Sequence, residues 1–394
     1  MIMICGIDQI DTSGKTVFLR VDFNVPLADS KITEPHRIES TLPTIRLILE
    51  KSKKVIIASH LGRPSGRKDP RFSLAPIRAY LEQRLGETVV LAPDSIGSEV
   101  EKLARDPNSR VVLLENLRFH AEEENNDPLF SRALASLADI YVNDAFGAAH
   151  RAHASTAGMA AFFEVKAAGL LLQRELDYLS RVLITPEKPF TAILGGAKVS
   201  DKIGVIKNLL PKLDVLLIGG GMAYTFLKAN GVDIGRSLVE QDKIPVAKEL
   251  MANANTNGVK MLLPTDHMTG DEHKKNPSRS DVNIAEGRMG LDIGPQTIRQ
   301  FIEEIGRSRM VLWNGPVGLF EVKPFDQGSK ALAQSLADRR SDIVSIIAGG
   351  DTVAAVTAAG VADHITHLST GGGATLEFLE GRELPGIKAL EKSA

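Results

Sequence analysis

Cysteine is nearly absent. Cys5 is the only one in 394 residues, so the chain cannot close an intramolecular disulfide or build a cysteine-based zinc site. A reducing compartment suits that usage. Charge of one sign is lacking too: 47 basic residues face 49 acidic ones, for a net charge of −2. A globally basic nucleic-acid footprint is therefore missing, although net charge hides local patches. Long apolar runs are scarce. Val111-Val112-Leu113-Leu114 stops far short of the roughly 20 residues a membrane span needs. The start, Met1-Ile2-Met3-Ile4-Cys5-Gly6, lacks the basic flank and apolar length of a signal peptide. The expectation is a soluble cytoplasmic protein with neither membrane nor nucleic acid as partner. Glycine (34) and proline (19) show no Gly-X-Y period, which excludes a collagen-like or low-complexity chain. Hydrophobic residues at 43% and charged residues at 24% exclude a mainly disordered one. The length suggests two or three domains.

What is there is one pattern many times over: a short apolar run, a Gly-rich or polar turn, then a segment of helical period. The predicted strands are Val17–Phe23, Val55–His60, Val89–Ala92, Val111–Glu115, Ile140–Asn143, Phe190–Leu194, Val215–Ile218, Lys260–Leu263, Met310–Trp313, Ile343–Ala348 and Ile365–Ser369. They are rich in Val, Ile and Leu rather than alternating, as strands buried on both faces of a parallel sheet are. Helices are predicted between them, at Ser73–Leu85, Ser200–Leu213, Pro295–Ile305 and Phe325–Arg339. Ser73 suits an N-cap and Gly86 a C′ position. The alternation argues for an α/β fold with mostly parallel sheets flanked by helices. Eleven strands are too many for one comfortable open sheet, so two sheets in two domains are expected. Leu170–Leu183 reads as one long helix, and Thr185-Pro186-Glu187-Lys188-Pro189 as a linker near mid-chain.

Two decoys fall away. Gly14-Lys15-Thr16 imitates the end of a phosphate-binding loop, but Gln9 stands where the motif needs glycine, so a turn before the first strand is expected. Asp266-His267 and Asp271-Glu272-His273 have metal-binding residue types, yet run into Lys274-Lys275-Asn276-Pro277. That segment reads as a solvated polar loop. His150 and His153 likewise have no third ligand near them in sequence.

In the first half, polar and basic side chains gather at predicted strand ends: Arg20-Val21-Asp22-Phe23-Asn24, His60-Leu61-Gly62-Arg63-Pro64, Asn116-Leu117-Arg118-Phe119-His120, Asn143-Asp144 and His150-Arg151-Ala152-His153. His36-Arg37 opens a helix. Ligands of open α/β sheets sit beyond the carboxyl ends of the strands. Parallel strands would bring Arg37, Arg63, Arg118, Arg151, His60 and His153 to one rim. A single such arginine reads as a surface ion pair; four at successive strand ends read as a site for a small multiply anionic ligand. Without interleaved aromatics, nucleic acid is disfavoured.

The second half carries glycine turns after strands. They are Gly195-Gly196-Ala197-Lys198-Val199-Ser200-Asp201-Lys202, Gly219-Gly220-Gly221, Gly349-Gly350-Asp351-Thr352 and Gly371-Gly372-Gly373-Ala374-Thr375. Glycines let backbone N–H groups approach phosphate oxygens, and a helix N-terminus adds positive potential. Lys198 and Lys202, four apart, could point to the same region. Asp351 suits Mg²⁺ bridged to phosphates. Trp313-Asn314-Gly315-Pro316-Val317-Gly318 ends a strand in a turn, and Glu321 beyond it could accept hydrogen bonds from ribose hydroxyls. One such turn is an ordinary strand-to-helix connection. Four of them with two lysines and an aspartate favour a nucleotide phosphate site. No dinucleotide fingerprint is present: Tyr224 stands where the third glycine belongs. An anion rim and a nucleotide site together suggest phosphoryl transfer with closure excluding water. With no evident activated nucleophile, direct in-line transfer is preferred to a covalent intermediate.

At this level of detail the motifs resemble phosphoglycerate kinase, in that family's order over nearly the whole chain. They are Arg20–Pro26, His60–Pro64, Glu115–Phe119, Asn143–Ala154, Gly195–Gly204, Trp313–Glu321, Gly349–Thr352 and Ser369–Ala374. The resemblance implies two similar Rossmann-like α/β domains facing a hinged cleft, in a monomer. The first, at 1–169 with 384–394 returning to it, would bind 3-phosphoglycerate or 1,3-bisphosphoglycerate. An interdomain helix would span 170–183, and 184–383 would bind ADP or ATP. The reaction implied is reversible transfer of the acyl phosphate of 1,3-bisphosphoglycerate to Mg-ADP. Carried over by motif, Asp22, Asn24, Arg37, His60, Arg63, Arg118 and Arg151 would bind phosphoglycerate, with Arg37 also facing the transferring group. Lys198 and Lys202 would stabilise charge on that group and on the nucleotide phosphates, and Gly372, within Gly371–Gly373, would hold it through backbone N–H groups. Asp351 would ligate Mg²⁺, with Gly350 and Thr352 beside the phosphates. Glu321 would bind ribose, and Gly219, Gly220, Asn314 and Pro316 would complete the nucleotide pocket. Ala348, Thr375 and the Thr265–His267 stretch depart from the family's usual residues, but none removes a charged group. Two other readings stand beside it: an idle binding protein on the same fold, which the presence of Arg37, Lys202 and Asp351 disfavours, and a kinase for another small phosphorylated acid.

Overall fold

The apolar runs pair into two six-stranded parallel sheets in the computed structural model, which describes residues 4–391. The chain divides into two compact units, Met1–Asp177 with Glu383–Ala394, and Tyr178–Arg382. The division falls inside the helix Leu170–Ile184. No described helix is long and apolar enough to cross a membrane.

In the first unit the sheet order is Val89–Leu91, Val111–Leu113, Lys54–Ala58, Thr16–Arg20, Ile140–Asn143, Lys166–Ala168. Every pairing is parallel. Val17, Leu19, Val55, Ile57, Val111 and Leu113 face a core shared with Ile38, Leu42, Ile45 and Leu49 of the helix His36–Lys51. Phe18, Ile56, Val112 and Tyr141 on the other face are buried as well. Burial on both faces is why the strands do not alternate. Thr16–Arg20 lies between the strands that follow it in the two directions of the sheet, so its carboxyl end is the switch point, the place at which open α/β sheets hold their ligands. Arg20 is in register with Ala58 and Asn143 there. The helix Pro385–Lys388 belongs to this unit, where Gly386 N donates to Ala149 O at 2.8 Å.

The second unit has the doubly wound order Lys260–Leu262, Val215–Ile218, Phe190–Leu194, Met310–Asn314, Val344–Ala348, His367–Leu368. Its switch point lies between Phe190–Leu194 and Met310–Asn314, where Leu194 and Asn314 are in register.

Local chemistry explains the ends of elements. Gly86 closes the helix Ala75–Leu85 at φ +69°, the left-handed C-cap its position suggests. Ser73 does not cap that helix from its N-cap position, which Leu74 occupies; its hydroxyl instead accepts from Ala75 N at 3.2 Å. Gly14-Lys15-Thr16 is a turn into the first strand, with Lys15 N donating to Thr12 O at 3.1 Å.

The polar loop expected around Asp266 is not a loop. Asp266–Gly270 is the central strand of an antiparallel three-stranded sheet with Ser278–Asp281 and Met289–Ile293. Its buried positions carry His267 and Thr269, polar residues that hide the alternation from a hydrophobicity reading. Asp266 caps the helix Pro295–Arg307, accepting from Thr297 N at 2.7 Å and Gln296 N at 2.9 Å. Asp271 holds a turn by accepting from His273 N and Lys275 N, each at 2.9 Å. Among the described residues, no group of three or more His, Cys, Asp or Glu side chains could hold a metal ion.

Candidate active site

In the first unit the sheet's carboxyl edge gathers most of the rim. Arg37, on the first turn of its helix, donates to Asp22 Oδ2 at 2.8 Å. His60 Nε2 lies 3.8 Å from the other Asp22 oxygen. Asn24 is exposed, and its side-chain oxygen accepts from Gly62 N at 2.9 Å, tying two strand-end loops together. Arg118 donates to Gly62 O at 2.8 Å. Its Nε lies 3.2 Å from Glu124 Oε1 in an ion pair without hydrogen-bond alignment. Arg151 is half-buried, with Nε directed at His150 Nε2 at 3.2 Å. Arg63 is exposed, one residue beyond Gly62.

Crowded positive charge governs the titration of this edge. Burial first, then the guanidinium groups of Arg20, Arg118, Arg151 and Arg37, holds His60 well below the ordinary histidine range. His153 is pulled down to about 3, by burial first and then by Arg118, Arg20 and Arg151. Burial also lowers Arg118 to about 10, with Arg151 second. At neutral pH the histidines are neutral and the arginines charged, and such an edge attracts anions.

In the second unit, glycine turns meet with almost no side-chain volume between them. A Cβ on Gly315 (φ +95°) would overlap the Gly195 carbonyl oxygen, and one on Gly195 would overlap the Pro316 carbonyl oxygen. Gly196 N donates to Pro316 O at 2.9 Å and Gly220 N to Val317 O at 2.9 Å. Only glycine allows backbones this close. Thr352 is buried, its hydroxyl oxygen accepting from Gly315 N at 2.7 Å. Asn314 donates to Ala348 O at 2.8 Å and accepts from the Lys202 ammonium. Burial lowers Lys202 to about 8, against the opposing pull of Asp201, Asp351 and Glu380.

Asp351 and Gly350 are exposed in the first turn of the helix Gly350–Ala358, whose free N–H groups favour anions. Gly372, at φ +53°, precedes the helix Gly373–Leu379, and Gly371 N donates to Ser369 Oγ at 3.2 Å. Gly219 is buried, with N donating to Leu194 O at 2.9 Å, and Glu321 is exposed.

One local expectation is corrected. The helix expected over Ser200–Leu213 starts at Ile203, so both lysines precede it; Lys198 is exposed while Lys202 is buried. Gly196 at φ +95° turns the chain here. The side chain of Ser200 is bonded to Glu240 Oε1 at 2.7 Å, which keeps the segment out of helical geometry.

Residue patterns alone miss the supports of the rim. Arg20 is fully buried, with Nε donating to Ser155 Oγ at 2.7 Å, and Ser155 Oγ donates to buried Glu123 at 2.6 Å. The available signal was Arg20 itself, a charge between the apolar Leu19 and Val21, which must find buried partners. Glu123 stands in the run Glu122-Glu123-Glu124, where nothing in the sequence separates it from its solvated neighbours.

A family model for phosphoglycerate kinase matches residues 7–382. A phosphoglycerate kinase of Anaeromyxobacter dehalogenans (strain 2CP-C) is 54% identical over 98% of this chain and 99% of its own. A cytosolic phosphoglycerate kinase of Triticum aestivum is 53% identical over 98% of this chain and 97% of its own. Among solved structures, the phosphoglycerate kinase of Coxiella burnetii superposes with a TM-score of 0.89 at 40% identity, covering 98% of this chain and 99% of that one. With the glycine turns and basic edge set on two parallel sheets, and with whole-length likeness in both sequence and structure, the chain belongs to the phosphoglycerate kinase family.

Proposed function

We propose that the basic edge of the first unit binds 3-phosphoglycerate or 1,3-bisphosphoglycerate, and that the glycine turns of the second bind ADP or ATP with Mg²⁺. The chain is an enzyme of glycolysis, a kinase phosphotransferase. The observation that carries the residue assignment is Lys202. Its ammonium is buried among glycine turns with one neutral partner, Asn314, and burial has drawn it down to about 8. A cation so desolvated is favoured by further negative charge beside it, and nucleotide phosphates would supply that.

The roles follow from charge. The carboxylate of 3-phosphoglycerate is already an anion, so attack on a phosphoryl group needs no general base. The transition state spreads charge over three equatorial oxygens. In this reading Arg37, Lys198 and Lys202 supply fixed positive charge to it, and Gly371–Gly373, with Gly372 central, supply backbone N–H groups. Asp22, Asn24, His60, Arg63, Arg118 and Arg151 hold the phosphoglycerate. Gly219, Gly220, Asn314, Pro316, Glu321, Gly350 and Thr352 line the nucleotide site. Asp351 is a single exposed carboxylate at a helix N-terminus. It suits Mg²⁺, which keeps most of its ligands as water and substrate phosphate. Bound there, the ion would neutralise charge on the nucleotide phosphates. A monomer in the cytosol, the location in the wheat relative's name, completes the reading.

The test is a coupled assay with 3-phosphoglycerate, Mg-ATP, glyceraldehyde-phosphate dehydrogenase and NADH. NADH loss should require both substrates and Mg²⁺, and should vanish in Lys202→Ala. A flat trace from folded protein that still binds ADP would overturn the substrate assignment.

A further inference from the structure

We infer that Glu123 and Ser155 are positioning residues that, through Arg20, hold His60 as a neutral imidazole with its proton on Nε2, ready to donate to an oxygen of phosphoglycerate. The inference rests on the basic edge being the phosphoglycerate site. Arg20 Nη2 lies 3.2 Å from His60 Nδ1. A guanidinium only donates, so Nδ1 accepts and the ring's single proton sits on Nε2. The Nε2 nitrogen lies 3.8 Å from Asp22 Oδ1, beyond hydrogen-bond range, while Arg37 engages the other Asp22 oxygen at 2.8 Å. Among the described residues it is therefore a donor without a close acceptor, on the edge where the anion would sit. The charged groups around His60 are Arg20, Arg37, Arg118, Arg151 and Asp22; four guanidinium groups against one carboxylate disfavour a second proton.

The aim of Arg20 is set from behind. Its Nη1 donates to Val21 O and its Nε to Ser155 Oγ at 2.7 Å. The Ser155 hydroxyl has one proton, which goes to Glu123 Oε1 at 2.6 Å, and Ser155 N donates to Glu123 Oε2 at 3.0 Å. Both Glu123 oxygens accept; burial raises this carboxyl, while Arg20 and the two bonds from Ser155 favour its charged form. The polarity of the relay is thus one-way, from Arg20 through Ser155 to Glu123, and Arg20, Ser155 and Glu123 are all buried. Each bond in such a chain strengthens the next.

The experiment uses the full chain, labelled with ¹⁵N, and two-bond ¹H–¹⁵N spectra of His60 between pH 5.5 and 8. The expected result is the Nε2–H tautomer throughout, with an Nε2 signal that moves on adding 3-phosphoglycerate. In Ser155→Ala, KM for 3-phosphoglycerate should rise about five-fold, the effect of one hydrogen bond. KM for Mg-ATP should stay unchanged and kcat within about two-fold, and the His60 tautomers should mix. Ser155→Thr keeps the hydroxyl and should restore both. An Nδ1–H tautomer or an imidazolium at pH 7 in the unaltered protein overturns the inference, whatever the variants do. So does Ser155→Ala with an unmixed tautomer and unchanged KM. A correct tautomer whose signals ignore 3-phosphoglycerate overturns the site reading instead, and with it the role assigned to the relay.

Discussion

Arg37 shows what a single residue is asked to do. Its Nη1 donates to Asp22 and, at 3.4 Å, to Asn24 O from the first turn of its helix, and the side chain is only half-buried, so Nε and Nη2 are available to meet an anion. If it faces the transferring group, its charge matters more in the transition state than in either ground state. Arg37→Ala should then lower kcat by roughly 10²–10³, the usual cost of an electrostatic donor, while ADP affinity stays within about two-fold. Steady-state kinetics and a direct ADP titration check this; equal loss in both sinks the role. Gly315 makes the complementary point, that missing atoms matter as well. At φ +95° and against the Gly195 carbonyl, it has no room for a Cβ. Gly315→Ala should cost about 2 kcal/mol or more from strain and overlap, read as a lowered urea midpoint with an unchanged m-value. An unchanged midpoint would mean the turns are looser than their geometry. The residue types of this site were legible in the sequence because strand-end arginines and glycine turns repeat. Which lysine is buried was not, because it depends on where the helix begins, and Ser200 decides that by bonding to Glu240 rather than starting a helical turn.

Elements were legible where burial is two-sided. The strand at Ile140–Asn143 was readable to the residue because all four of its side chains are buried. Lys166–Ala168 escaped notice: it is short, its residues are Lys and Ala, and it lies at the sheet edge. The antiparallel ribbon escaped because its inward positions are polar. That ribbon also holds a titration that belongs to the element. Asp292, on the strand Met289–Ile293, accepts from Gly328 N at 2.8 Å and from Ile293 N at 2.9 Å, tying the strand to the helix Gln327–Asp338. Burial raises its carboxyl to about 8, against the lowering pull of those two N–H groups. Between the ordinary value near 3.8 and about 8, the folded protein holds a proton that the unfolded chain releases. Stability therefore falls as pH rises through that window, by up to about 1.4 kcal/mol per pH unit for one proton. Asp292→Asn, which cannot titrate, should show a flatter slope of unfolding free energy between pH 5 and 8. Parallel slopes for variant and parent would mean that Asp292 is ionised in the folded protein throughout.

At the scale of the whole molecule, the two units carry separate cores, one below a basic sheet edge and the other below glycine turns. The first unit's core spans its sheet and the helix His36–Lys51, and the second's joins Ile193, Val311, Trp313 and Leu332. Their division into two sheets was legible from strand count, and the chain passes from one unit to the other at Asp177 and Tyr178, inside the continuous helix Leu170–Ile184. Separate cores make ligand binding a local test of which unit takes which substrate. A ligand stabilises the structure it binds by RT ln(1 + [L]/Kd), about 2.7 kcal/mol at a hundred-fold excess over Kd. Amides that exchange through opening of that structure should slow by about 100-fold. 3-Phosphoglycerate alone should therefore protect amides of the strand Thr16–Arg20 and the first turns of the helix His36–Lys51. Mg-ADP alone should protect the turn at Gly195–Gly196 and the helix Gly350–Ala358. Hydrogen exchange read by mass spectrometry resolves these segments. Protection by 3-phosphoglycerate confined to the glycine turns would reverse the assignment of substrates to units. Protection by Mg-ADP that survives Lys202→Ala undiminished would remove Lys202 from the nucleotide site, because a buried ammonium that contacts phosphate cannot be deleted without loss of binding.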